Sequence, residues 1–318
     1  MLLDLLSIAA GLLCLMVGGD WLVAGASRIA LLARVPAAVV GLTVVAAGTS
    51  MPELVVSLQA AFNGTPDMAV GNVVGSTFYN ITLIVGVAAM VGPLTVRGET
   101  VRMEWPVMAL ATCSVYAFGR DGVIDRPDGI FLTMALVVFI AWTVRLATHT
   151  TPEEQGALED RALEASNPAG RVWAKAIGRV LIGSAGLAIG AKFLVSGASS
   201  LASDMGISDR VIGLTVVAMG TGMPELVTSV VASARGQSDI AIANVVGSNI
   251  FNILAILGLT AVITPLPINP AILSNDVWWM IGAAFALFPL MYSGRVVNRW
   301  EGALLFTGAV VYTVMLII

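Results

Sequence analysis

The sequence predicts an all-α integral membrane protein: ten transmembrane helices forming two inverted five-helix repeats, with the second and seventh helices broken. Three observations carry this. Of the 318 residues, 58% are hydrophobic and 11% charged, with a mean hydropathy of +0.92, whereas soluble domains average about 25% charged. Apolar stretches of the roughly 20 residues that a spanning helix needs recur ten times. Finally, residues 41–92 align with 213–264 at a constant offset of 172, without a gap, and 28 of the 52 positions are identical.

Composition also excludes function classes. A net charge of −4 gives no support to nucleic-acid binding, and lipid is the expected solvent. Cys14 and Cys113 lie in apolar segments, which argues against a disulfide scaffold or a thiolate metal site. The single histidine, His149, sits in a polar stretch, and no Ser/Lys or Ser/His dyad or pair of aspartates occurs within a span. An enzyme is therefore not expected, nor any cofactor, and the sequence names no protein partner. The N-terminal MLLDLLSIAAG lacks the basic region of a signal peptide and reads as the first span.

The predicted spans are 3–27, 36–62, 68–92, 103–119, 129–147, 174–200, 208–234, 240–264, 273–292 and 301–318. The polar segment 148–172 divides them five and five, giving a first repeat over 1–147, a linker, and a second repeat over 173–318. The connections on the linker's side carry twelve Lys and Arg residues (among them Arg28, Arg34, Arg97 and Arg235), against Arg120, Arg126 and Arg210 on the other. The positive-inside rule places the linker in the cytoplasm and both termini outside a cell membrane. Five spans separate the copies, an odd number, so the second copy crosses in the opposite sense. Inverted repeats of this kind hold their substrate between the halves near the midplane.

The chemistry concentrates in the repeat. The second span reads GLTVVAAGTSMPELVVS and the seventh GLTVVAMGTGMPELVTS, each with one acid, Glu53 or Glu225. An ionised acid at the bilayer centre costs about 3 kcal/mol on insertion scales, and a bound cation compensates two of them. Pro52 and Pro224 lack an N–H and disfavour helical geometry at Met51 and Met223. The helix should break there and turn carbonyls inward, which is tolerated at that depth only around a polar cavity. Carbonyls, hydroxyls and carboxylates are the hard oxygen ligands that Na+ and Ca2+ prefer. The next helix of each repeat adds GNVVGSTFYN (71–80) and ANVVGSNIFN (243–252). Ser76 and Asn80 share a helical face, as do Ser248 and Asn252, with Asn72 and Asn244 on the same stripes; Gly75 and Gly247 suit close helix approach.

Other polar residues carry blander expectations. Asp20 and Lys192 should snorkel to opposite faces without pairing. Asp67 and Asp239 should complement helix dipoles, and Trp278, Trp279 and Trp300 fit an aromatic belt.

GTSMPE with GNVVGSTFYN, and GTGMPE with ANVVGSNIFN, resemble the two alpha repeats of the sodium/calcium exchangers in the calcium/cation antiporter superfamily, and the resemblance covers essentially the whole chain. It implies antiport of Na+ against Ca2+ by alternating access. It also implies a Ca2+ site of Glu53, Glu225 and the carbonyls of Thr49 and Thr221. An inner Na+ position would use the Ala46 carbonyl, Thr49, Ser50, Ser248 and Glu225. An outer one would use the Ala218 carbonyl, Thr221, Ser76 and Glu53, with Asn80 and Asn252 bordering the centre. The first and sixth helices would slide across a static core. Two departures stand out: Gly222 replaces the counterpart of Ser50, removing a hydroxyl from the outer Na+ position, and Asn252 stands where many relatives have Asp, which is more like the potassium-independent members. Three Na+ against one Ca2+ would make exchange electrogenic. The alternative is an H+/Ca2+ or other divalent-cation antiporter of the same fold; a channel, a rival of another class, would pass uncoupled current.

Overall fold

A computed structural model describes residues 2–64, 66–147, 169–205 and 218–317. Helix α1 (Leu2–Ala33) is followed by α2 (Ala37–Thr49), α3 (Met51–Phe62), α4 (Pro66–Val91), α5 (Trp105–Gly119) and α6 (Arg126–Ala147). After the linker come α7 (Ala169–Asp204), α8 (Ala218–Thr221), α9 (Met223–Ala234), α10 (Ser238–Ile263), α11 (Ile272–Tyr292) and α12 (Arg299–Ile317). Six described helices are long and apolar enough to cross a membrane, and α2 with α3, bent by 43°, makes a seventh. The expected span 208–234 lies partly outside the described residues, as does most of the linker, 148–168. Helix α7 is described from Ala169, inside the segment expected as linker.

The fold is not purely helical. β1 (Leu94–Thr95) pairs antiparallel with β4 (Val296–Val297), and β2 (Val123–Ile124) with β3 (Leu266–Pro267). These two-residue strands occupy tight connections between helices, where backbone groups need partners that no helix supplies. Shifting residue numbers by 172, or by 173 past Gly122, exchanges one strand pair for the other.

The same exchange governs helix contacts. On α1, Gly11 faces the backbone of Gly190 and Leu194, and a Cβ there would lie 2.6 Å from the Leu194 nitrogen. On α7, Gly183 faces Gly18 and Leu22 in the same way, also at 2.6 Å. Every partner is the repeat equivalent of the other's. Glycine permits this close approach, which lets two backbones pack by van der Waals contact where lipid supplies no hydrophobic drive.

Two apolar clusters result. The larger is built from α4, α5, α10, α11 and α12 and centres on α10, which is 94% buried over its spanning window. The smaller, with Leu15, Leu22, Val180 and Leu187, joins α1 and α7. The α1–α7 pair thus packs as a unit beside a larger core. Trp278 and Trp300 are exposed, as an aromatic belt requires. Trp279 is not part of it: its ring packs on Phe78 and Tyr312 inside the bundle, because α11 turns that face toward α4 and α12.

Candidate cation site

The two breaks come from the proline motifs. Ser50 (φ −83°, ψ 5°) and Gly222 (φ −82°, ψ 1°) leave helical geometry, and Pro52 and Pro224 occupy the first turn of the helices that follow. A proline there forfeits no hydrogen bond. Consequently Glu53 and Glu225 each fall in the first turn of a half-helix, where the dipole favours negative charge. Both side chains are buried, each 1% exposed.

The breaks face one another. Ser50 Oγ donates to Glu225 Oε1 at 3.0 Å, so the motif of the first repeat touches the acid of the second. Thr49 also reaches Glu225, and the two glutamates lie near enough to interact. The Thr49 hydroxyl lies 3.2 and 3.3 Å from the carbonyls of Val45 and Ala46 and 3.5 Å from Asn244 Oδ1.

Three of the four carboxylate oxygens, both of Glu53 and Oε2 of Glu225, have no hydrogen-bond partner, and neither do Ser248 Oγ and Asn252 Oδ1. All five atoms are buried. An unsatisfied buried oxygen costs about 1–3 kcal/mol, more when charged, and the donor set of carboxylate, hydroxyl and amide oxygens suits Ca2+ or Na+. Among the described residues, no group of three or more His, Cys, Asp and Glu is assembled to hold a metal. The candidate site thus gathers two acids and neutral oxygens, a donor set that suits a hard cation.

The remaining sequence candidates are distributed around this pair. Ala46 and Thr49 are fully buried in α2, Thr221 is partly buried at the end of α8, and Ala218 lies in the same helix. Ser76 is partly buried on α4. Asn80 Nδ2 donates to Asn249 Oδ1 at 3.0 Å, which ties α4 to α10. Asn80 opens one π-helical turn (Asn80–Ile84) and Asn252 lies in another (Phe251–Leu257), local widenings that recur at functional sites. At Gly247, a Cβ would lie 2.5 Å from the Leu42 carbonyl, so the expected close approach holds there.

Sequence reasoning missed the braces. Asn72 Nδ2 donates to Ser57 Oγ at 3.0 Å and to the Glu53 carbonyl at 3.3 Å, while Asn244 Nδ2 donates to Ser229 Oγ at 3.1 Å. Ser57 and Ser229 sit one turn after each glutamate and are identical across the repeat, a signal that could have found them. Asn249 left no such signal, since its counterpart is Thr77. The expectation for Asp20 is corrected: it does not merely snorkel but forms an ion pair with Arg235, and nearby Ser27 donates to Gln237 Oε1 at 2.9 Å. The turn after α9 passes beside α1, a proximity that sequence spacing does not convey. Asp67 and Asp239 occupy the first turns of α4 and α10.

Comparison with known proteins assigns the family. The family model described as sodium/calcium exchanger protein matches residues 3–145 and 175–318. The chain is 37% identical to the putative antiporter CaxA of Alkalimonas amylolytica, covering 99% of each. It is 32% identical to the sodium/calcium exchanger MaX1 of Methanosarcina acetivorans, covering 98% of each. Its fold matches the solved sodium-calcium exchanger NCX_Mj with a TM-score of 0.84 at 30% identity, covering 98% of this chain and 97% of that one. These relatives are transporters rather than enzymes. The chain is a multi-pass membrane cation antiporter and belongs to the sodium/calcium exchanger family.

Proposed function

We propose that this chain exchanges Na+ for Ca2+ across a cell membrane, by alternating access at a site centred on Glu53 and Glu225. The observation that carries it is the Ser50–Glu225 bond, which joins the two breaks around buried carboxylate oxygens that lack partners. Two ionised glutamates neutralise one Ca2+. Replacement by three Na+ leaves a charge of +1, so the exchange is electrogenic. Ca2+ would take the two acids with the carbonyls of Thr49 and Thr221. Of the three Na+, an inner one would use Ala46, Thr49, Ser50, Ser248 and Glu225, and an outer one Ala218, Thr221, Ser76 and Glu53. Because the ions share ligands they exclude one another, and that competition couples their movement. With Asn80 and Asn252 in place of acids at the centre, nothing charged is left to recruit K+.

The proposed layout is ten spans in two inverted halves, 1–147 and 173–318, with both termini outside and the linker cytoplasmic. The exchange of contacts under the 172-residue shift supports it. Packing further supports an outward-facing arrangement. A Cβ on Gly19 of α1 would lie 2.9 Å from Val227 of α9. The repeat equivalent of Val227 is Val55 of α3, which is exposed, as is Met51. In this topology α9 is the cytoplasmic half of its span and α3 the outer half, so the α1–α7 unit is closed inside and looser outside.

The test is 45Ca uptake by proteoliposomes with Na+, K+ and pH gradients imposed singly. An outward Na+ gradient should drive uptake, faster with the interior positive, and K+ should be without effect. Uptake driven by a pH gradient alone would select the proton-coupled alternative.

A further inference from the structure

The two halves diverge at one buried acid. Glu104 ends a π-helical turn (Thr100–Glu104) leading into α5, and Asp276 ends the equivalent turn (Ile272–Asp276), 172 residues on. Asp276 Oδ1 accepts a hydrogen bond from the Tyr312 hydroxyl at 3.0 Å. Glu104 has no tyrosine donor, and the Thr100 hydroxyl of its own turn satisfies only one of its oxygens. Gly129 of α6 packs on Gly258 and Val262, and Gly302 of α12 on Gly86 and Met90, which sets those two helices in register at an offset of 173. Tyr312 therefore corresponds to Phe139, whose ring lacks the hydroxyl. Glu104 is 8% exposed, and its Oε2 has no partner.

Glu104 and Phe139 both line a groove of about 780 Å3 between α5 and α6, a volume in the range of small-molecule sites. Its walls are largely apolar, with Leu110, Phe131, Val138 and Trp142 all exposed on the outside of the bundle where lipid lies. The other acid of the groove, Glu99, is paired with Arg97 at 3.3 Å, and among the described residues no Lys or Arg lines the groove. A long apolar trough with one open carboxylate oxygen complements an amphiphile that has a hydrocarbon chain and a cationic N–H donor.

We propose that this groove binds a phospholipid bearing a primary amine, with an acyl chain along α5 and α6 and the ammonium on Glu104, in the role that the Tyr312 hydroxyl plays at Asp276. A phosphatidylcholine head has the charge but no N–H, so it should bind less well. Hydrogen bonds to charged groups are strong enough for a preference of about tenfold.

Trp142 reports on the groove. The full chain would be reconstituted in bilayers carrying increasing fractions of phosphatidylethanolamine or phosphatidylcholine with brominated chains. The Trp142 signal is isolated by difference from Trp142→Phe. Brominated phosphatidylethanolamine should half-quench it at a mole fraction about tenfold lower than the choline lipid. Glu104→Gln should bring the two midpoints together by removing the charge. Phe139→Tyr should do so by supplying the hydroxyl internally, and as an addition of one oxygen it preserves the packing. Coincident midpoints in the unmodified chain, or a preference untouched by both substitutions, would overturn the proposal and leave only unselective boundary lipid.

Discussion

Ser50 Oγ donates to Glu225 Oε1 at 3.0 Å, and the relationship has no mirror image. Position 222, the counterpart of Ser50, is glycine, and both oxygens of Glu53 lack partners. Two glutamates that are equivalent in sequence are thus unequal in surroundings. Glu225 is anchored by a hydroxyl from the opposite half, and Glu53 is not.

Gly222→Ser should reduce that inequality. The backbone at 222 is accessible to any residue, and a Cβ there meets nothing nearer than the Met219 carbonyl at 3.8 Å. An added hydroxyl near Glu53 supplies an oxygen to the outer Na+ position, and one interaction with a charged group is worth about 1.5–3 kcal/mol. The apparent Na+ affinity should rise by roughly tenfold, read as the Na+ concentration that half-inhibits 45Ca uptake. An unchanged Na+ dependence would remove Gly222 from the account.

Glu53→Gln and Glu225→Gln should each abolish exchange without unfolding the protein. A Ca2+ held by one carboxylate retains a net charge in a buried site, and uncompensated buried charge costs about 3–5 kcal/mol. Ca2+ affinity should fall at least about a hundredfold. Calorimetric titration with Ca2+, beside melting curves in detergent, separates lost binding from lost structure.

The α1–α7 seam should be sensitive to a single side chain. At Gly18 a Cβ would stand 2.8 Å from the Leu187 nitrogen, so Gly18→Leu must force the helices apart. At Gly308 on α12 nothing lies within 4 Å, and Gly308→Leu is the matched control. Transport should drop steeply in the first and stay near normal in the second. Equal activity in the two would show that the seam tolerates separation.

Arg235→Gln should bias the conformational equilibrium rather than stop transport. The Asp20–Arg235 pair is partly exposed, with its side chains 49% and 35% accessible, so it contributes only about 0–1 kcal/mol and weakens with salt. Its loss frees α1 from the turn after α9 and should raise the inward-facing fraction by up to about fivefold. The repeat equivalents, Lys192 and Asn63, form no ion pair because Asn63 is neutral, so Asn63→Asp, by adding a tie on the outer side, should likewise raise the inward-facing fraction. Cysteine accessibility measured from each side of the membrane reads both.

Much of this protein is written locally. Proline after Gly-Thr-X-Met breaks a helix wherever it stands, an acid in an apolar span needs compensation, and an odd number of spans between copies inverts the second. These are properties of the chain and its solvent, which is why the helical membrane fold, the breaks at Ser50 and Gly222 and the buried pair Glu53 and Glu225 could be read from residue order. Asn249, the Asp20–Arg235 pair, the braces from Asn72 and Asn244 and the open oxygen of Glu104 depend on which helix lies beside which. Those contacts join residues 15 to 215 positions apart, or turn on one hydroxyl present in Tyr312 and missing from Phe139. Packing between helices chooses such neighbours through summed close contacts, and no local pattern encodes that sum.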